Sequence, residues 1–306
     1  MPTATVALCV AFSLTIFIGV VGNTVVASVF MAFKTLRRPA NIFIVNMSIC
    51  NSLFMLSFVP YICKAMLGES WIISHSECQA IATHQFLSSG ASIICMAQLA
   101  FIRYVAILRR EWMKHFHYKV TIPLAGVSWL WMFIFLSPMP TKYMRVTFYP
   151  NMHGCIVDYS YNITYTVFVV IGIFLPTSIL ILVFYWKIFK EFRLSTSRVS
   201  NHQDGDQSSR PRKGEFFFAL QLFVIFVLFQ VSLLPPVLIV TIFDPTATRL
   251  SGDKYLVVEI LVILHATISP YLFFVFHKPF RGSFVQKLRC RKANVPGLSV
   301  SGGSAP

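Results

Sequence analysis

Phe216-Phe-Phe-Ala-Leu-Gln-Leu-Phe-Val-Ile-Phe-Val-Leu-Phe-Gln-Val-Ser-Leu-Leu-Pro-Pro-Val-Leu-Ile-Val-Thr-Ile-Phe243 runs without one charged side chain. A helix needs about 20 predominantly apolar residues to cover the hydrocarbon core of a bilayer. Six more runs of this kind fill most of the chain: Val6–Phe33, Ile42–Met66, Ile81–Leu108, Val120–Met139, Tyr165–Trp186 and Tyr255–Phe276. A soluble domain carrying seven such runs would expose large apolar surfaces to water. The sequence therefore reads as an all-α membrane protein with seven transmembrane helices.

Of the 306 residues, 56% are hydrophobic and only 12% charged, which excludes a disordered chain or an ordinary globular domain. The net charge of +15 invites a nucleic-acid reading, but its distribution opposes one. With the N-terminus outside, 21 of the 26 basic residues fall on the cytoplasmic side, among them Lys34, Arg103, Lys187, Arg210 and Lys278. The other five, Lys64, Lys142, Arg145, Arg249 and Lys254, fall outside. Such asymmetry sets orientation, and the basic side attracts anionic membrane lipid. No nucleic-acid partner is expected. The expected location is the plasma membrane, multi-pass, with an extracellular N-terminus and a cytoplasmic C-terminus.

Residues 1–288 read as one membrane domain and 289–306 as a disordered cytoplasmic tail. No signal peptide is evident; the first span is expected to act as an uncleaved anchor behind a short outer N-terminus. Ser195–Gly214 has the composition of a flexible inner loop. Phe280, Phe284 and Leu288 recur every four positions, which predicts a short amphipathic helix on the inner leaflet after the seventh span. Cys290 beside Arg289, Arg291 and Lys292 is a palmitoylation candidate or an unmodified thiol. Asn162-Ile-Thr164 is a glycosylation candidate close to the fifth span. Pro176, Pro235 and Pro270 lie within spans and are candidate hinges, since proline removes a backbone donor and kinks a helix.

With these landmarks in place, the chain resembles the rhodopsin-like (class A) G-protein-coupled receptors from Gly22 to Leu288. Gly22-Asn23-Thr-Val-Val looks like the family's G-N-x-x-V. Trp71 precedes Cys78 by seven residues, and Arg103-Tyr104 follows Cys78 by 25, as the D-R-Y arginine does. Trp129, Pro176 and Pro235 match the fourth-, fifth- and sixth-helix landmarks. Ser269-Pro270-Tyr-Leu-Phe273 stands where N-P-x-x-Y would be, and Lys278-Pro-Phe280-Arg opens the surface helix. A faint likeness to the melatonin-receptor and related orphan branch lies in Asn41-Ile-Phe-Ile-Val.

Several positions depart from the pattern. Ile102 replaces the acid before the arginine, Asn51 the second-helix aspartate, and Leu233 the sixth-helix tryptophan. Asn51, Ser92 and Ser269 occupy the positions that bind sodium in the family; they keep hydrogen-bonding capacity but supply no anionic charge. Ile263 stands where opsins carry the retinal lysine, so a retinal Schiff base is excluded. Gln85 stands where amine receptors carry an aspartate, so a monoamine ligand is not expected.

The resemblance implies a disulfide between Cys78 and Cys155, both on the oxidising outer side. It implies that Arg103 and Tyr104 take part in G-protein coupling, and that Arg103 forms an ionic latch with Glu215; a snorkelling arginine and a solvated glutamate are the other reading. His84, Gln85, Glu259 and His265 are polar residues within spans and are expected to face the bundle interior, as ligand contacts or as internal hydrogen-bond partners. Phe86, Tyr165, Phe168 and Leu234 are candidate apolar pocket walls. No catalytic set, zinc signature or phosphate loop is present in the sequence, so no enzyme activity, cofactor or metal is expected. The expected function is a receptor that passes an extracellular or lipid-borne small-molecule or peptide signal to a heterotrimeric G protein. A receptor-shaped scavenger or dimer partner without G-protein output, and a transporter or channel, are the alternatives.

Overall fold

The computed structural model describes residues 3–67, 74–139, 144–149, 154–158, 161–201, 213–239, 252–277 and 279–285. Seven helical spans among them are long and apolar enough to cross a membrane: Val6–Ala32, Pro39–Lys64, His75–Leu108, Tyr118–Leu136, Ile163–Ser195, Gly214–Pro235 and Asp253–Phe276. The first is helix α1 (Thr3–Ala32), and the second is α2 (Ile42–Leu56) continued by α3 (Val59–Leu67). The third is α4 (His75–Leu108) and the fourth α5 (Tyr118–Leu136). α6 (Ile163–Val169) and α7 (Leu175–Asn201) share the fifth; α8 (Lys213–Leu238) and α9 (Gly252–Phe276) are the sixth and seventh. A helix over 279–285 follows the seventh span. Residues 286–288, the tail 289–306 with Cys290, and most of the inner loop 195–214 lie outside the described residues.

Breaks in the spans sit where proline demands them. Pro60 offers no N–H to continue the α2 ladder, and a turn at Ser57–Phe58 separates α2 from α3. In the fifth span a π turn, Val170–Phe174, ends two residues before Pro176. The wider turn accommodates a proline ring that cannot bond the carbonyl of Gly172. α4 begins on a capping box: Ser74 accepts from the Glu77 N–H, and the Glu77 carboxylate accepts from the Ser74 N–H.

The long α4 runs through the middle of the bundle, against α2, α5, α7 and α8, while α1 packs on α2 and α9. Lipid offers no hydrophobic drive for helices to associate, so close backbone approach and interhelical hydrogen bonds hold the bundle. Both occur here. A Cβ on Gly22 would come within 2.8 Å of Pro270 Cγ, so only glycine lets α1 and α9 approach this closely. One step on, Asn23 Nδ2 donates to Ala266 O at 2.9 Å. Trp129 Nε1 donates to Asn46 Oδ1 at 2.9 Å, joining the fourth span to the second, and Gln98 Nε2 donates to Leu124 O at 2.6 Å.

The outer segment after the fourth span holds a feature the sequence reading lacked, an antiparallel hairpin of β1 (Arg145–Tyr149) and β2 (Gly154–Asp158). Met144, Val146, Cys155 and Val157 are buried. A disulfide joins Cys155 to Cys78 at the head of α4, with 5.4 Å between Cα atoms, and ties the hairpin to the bundle.

Candidate functional site

Beneath the hairpin a cavity of about 350 Å³ lies among the third, fifth, sixth and seventh spans, with Phe54 and Phe58 of the second. Its walls are mainly apolar: Phe86, Val169, Phe174, Leu233, Leu234, Val258 and Val262. Polar groups enter at a few points, namely Gln85, Ser89, Thr166, Ser178, Gln230, Tyr255 and Glu259. Glu259 is the sole charged side chain among the described lining residues. Few polar groups converging in an apolar concavity is the usual build of a small-molecule site.

Four of the eight residues expected to line a pocket do so: Gln85, Phe86, Leu234 and Glu259. The others are placed elsewhere. His84 Nε2 turns to the backbone of the second span, 3.2 Å from Leu53 O. His265 is buried, with Nδ1 2.9 Å from Val262 O and its ring 4.6 Å from Phe229. The Tyr165 hydroxyl donates to Phe135 O at 2.9 Å. Phe168 stacks on Phe135 at 5.1 Å and is 51% exposed, on the bundle's outer surface. Sequence reasoning missed Gln230, Ser178, Thr166 and Tyr255. Gln230 and Ser178 had a signal, because polar residues in apolar spans seek partners, and Gln230 Nε2 lies 3.4 Å from Ser178 Oγ across the fifth and sixth spans.

Deeper in the bundle, Asn51, Ser92 and Ser269 do meet. Ser92 Oγ donates to Asn51 Oδ1 at 2.8 Å, and Asn51 Nδ2 reaches Ser269 Oγ at 3.2 Å and Asn23 Oδ1 at 3.4 Å. The cluster is neutral, and its members satisfy one another.

At the inner end, Arg103 Nη1 donates to Glu215 Oε2 at 3.0 Å, joining the third and sixth spans. Arg103 is buried, whereas Glu215 keeps a third of its side-chain surface. Where an adjacent acid would stand, Ile102 is fully buried among apolar neighbours. Two groups that the sequence reading missed add to the arginine's surroundings. Asn41 Oδ1 lies 3.5 Å from Nη2, and the Phe218 ring lies 4.2 Å beneath the guanidinium carbon. Phe218 in turn meets His277 at 4.6 Å. Tyr104 faces the fifth span, with its ring 5.4 Å from Phe184 and Lys187 Nζ 5.5 Å above it. Asn162 caps α6, its Oδ1 accepting from the Tyr165 N–H at 3.1 Å.

The bundle, the bridged outer hairpin and the inner arginine together invite comparison with known proteins. The model of the seven-transmembrane receptors of the rhodopsin family matches residues 22–273. The chain belongs to that family. This receptor is 25% identical to the mouse (Mus musculus) melatonin receptor type 1A over 223 residues, which are 72% of this chain and 62% of that one. It is 23% identical to the neuropeptide Y receptor type 1 of Xenopus laevis over 289 residues, 90% of this chain and 78% of that one. The receptor thus spans less than two thirds of the melatonin receptor it matches. Squid rhodopsin shares the fold, with a TM-score of 0.78 and 20% identity over 93% of this chain and 85% of that one.

Proposed function

We propose that this receptor carries a chemical signal across the plasma membrane and hands it to a heterotrimeric G protein. Its termini would lie outside and inside, respectively. A small ligand occupies the cavity between Gln85 and Glu259, and reaches it from outside or from the lipid. Binding favours one arrangement of the sixth span, and it does so only as far as its affinity for the two arrangements differs. The observation that carries this reading is the Arg103–Glu215 ion pair, which closes the inner end by joining the third span to the sixth. Leu233, Leu234 and Gln230 of that sixth span touch the cavity, so one element has contacts at both ends.

The test needs no ligand: basal activity of the full chain is profiled across the G-protein classes in cells. Activation of at least one class above an untransfected control supports the proposal. Silence across the panel at verified surface expression favours the second reading, a receptor-shaped scavenger or dimer partner. Ile102 beside Arg103, and Ser269, support that second reading, because they stand where the family relays activation.

A further inference from the structure

The chemistry of the ligand can be read from what the cavity leaves unsatisfied. Gln85 Nε2, on the cavity wall, is buried and without a hydrogen-bond partner among the described residues. The third and seventh spans thus each bring a polar group to this cavity, Gln85 and Glu259, with Cys155 and Val157 of β2 also on its wall. Leaving such a donor unpaired is costly, and an oxygen acceptor on a ligand would recover that cost. The Glu259 carboxylate accepts from Tyr255. No lysine, arginine or histidine lies among the described lining residues. An anion would meet Glu259 with no compensating cation among the described lining residues, while a wholly apolar molecule would leave the Gln85 donor unpaired.

Resting on the receptor reading above, we infer that the ligand is a compact, mostly apolar monocation with an oxygen acceptor a few bonds from its positively charged nitrogen. The nitrogen pairs with Glu259, and the oxygen accepts from Gln85 Nε2. The apolar body lies against Phe86, Phe174, Leu233 and Val262. A volume near 350 Å³ is at the low end for ligand sites, so the body is of one or two rings rather than a peptide. The aspartate that amine receptors carry is absent at Gln85, and the anionic partner stands on the seventh span instead.

Four matched probes separate the terms: 2-amino-1-cyclohexylethanol, 2-cyclohexylethylamine, 2-cyclohexylethanol and 3-cyclohexylpropionate. The same four head groups are also carried on naphthyl and adamantyl bodies. Binding to the purified full chain in lipid nanodiscs is read as a rise in Tm and as a Kd. The amino alcohols should bind best, the plain amines next, and the carboxylates not at all. Glu259→Gln should weaken both amine classes at least tenfold and abolish their preference over the alcohol. Gln85→Leu should remove the advantage of amino alcohol over amine and keep the preference for charge. Equal binding of alcohols or carboxylates, no binding by any amine, or an amine preference that survives Glu259→Gln overturns the inference. Because coupling is measured separately, a chain that binds amines yet activates no G protein retains this inference and loses the receptor reading. Coupling without amine binding does the reverse.

Discussion

Arg103 sits at the inner end of the third span, where an unpaired charge is costly. Its partners come from other elements, Glu215 and Phe218 on the sixth span and Asn41 at the start of the second. In the proposed latch, with Ile102 beside the arginine, the restraint falls on Glu215. Glu215→Ala should raise ligand-independent signalling roughly fivefold or more, as expected for losing one or two kcal/mol from the closed arrangement. The measurement is basal G-protein activation at equal surface expression, and an unchanged level removes the latch. His277 neighbours the same cluster. Its Nδ1 accepts from the Phe280 N–H at 3.1 Å, which requires a neutral ring. Burial first, and then the nearby Arg103 guanidinium, push it from the ordinary 6.5 down to about 4. Between those values the folded ring is neutral and the unfolded one protonated. The stability this ring supports is therefore complete above about pH 6.5 and is lost as pH falls toward 4. Lowering pH from about 7 to about 5 should cost of order 1–2 kcal/mol. The cost would be read as a falling Tm of the purified receptor that His277→Gln flattens; an equally steep profile in the variant would clear His277 of the effect.

The helices were the most legible elements, because the length of an uninterrupted apolar run is written along the chain. Which face of each helix turns inward was less so. A stripe of apolar residues marks the buried face of a helix in water, but a span apolar all round carries no stripe. Phe86 and Phe168 look alike in sequence; one lines the cavity, and the other stacks on Phe135 at the outer surface. Gln85 and Glu259 were legible because polar groups avoid lipid; for His84 and His265 the same reasoning left ligand contact and internal hydrogen bonding both open, and backbone carbonyls hold both. The β1–β2 hairpin escaped because its strands are short and lie between spans. At the α1–α9 contact the glycine signal was plain, and its use can be tested. Gly22→Val puts a branched side chain against the rigid ring of Pro270, whose Cγ already lies 2.8 Å from the added Cβ. Separating the two helices should cost about 1–3 kcal/mol and lower the Tm by several degrees in detergent. A Tm within error of the native receptor would mean that the contact yields freely.

For the molecule as a whole, the basic residues are the ground for the proposed orientation. With the N-terminus outside and the C-terminus inside, 21 of 26 fall on the cytoplasmic side. Epitope tags at the two ends should be stained, respectively, in intact and only in permeabilised cells. Exchanged staining would reverse every assignment of outer cavity and inner latch, and tags on one face would contradict the seven crossings. Acidic and basic side chains near the ends of the bundle include Glu259 by the cavity and the Arg103–Glu215 pair opposite. Between them, Asn23, Asn51, Ser92 and Ser269 bond one another as a neutral set. A membrane potential does work only on charge that moves through the field, about 2.3 kcal/mol per elementary charge per 100 mV. With amides and hydroxyls rather than a carboxylate at these four positions, the receptor offers voltage no side-chain charge to pull on there, and depolarising a cell should leave its output almost unchanged.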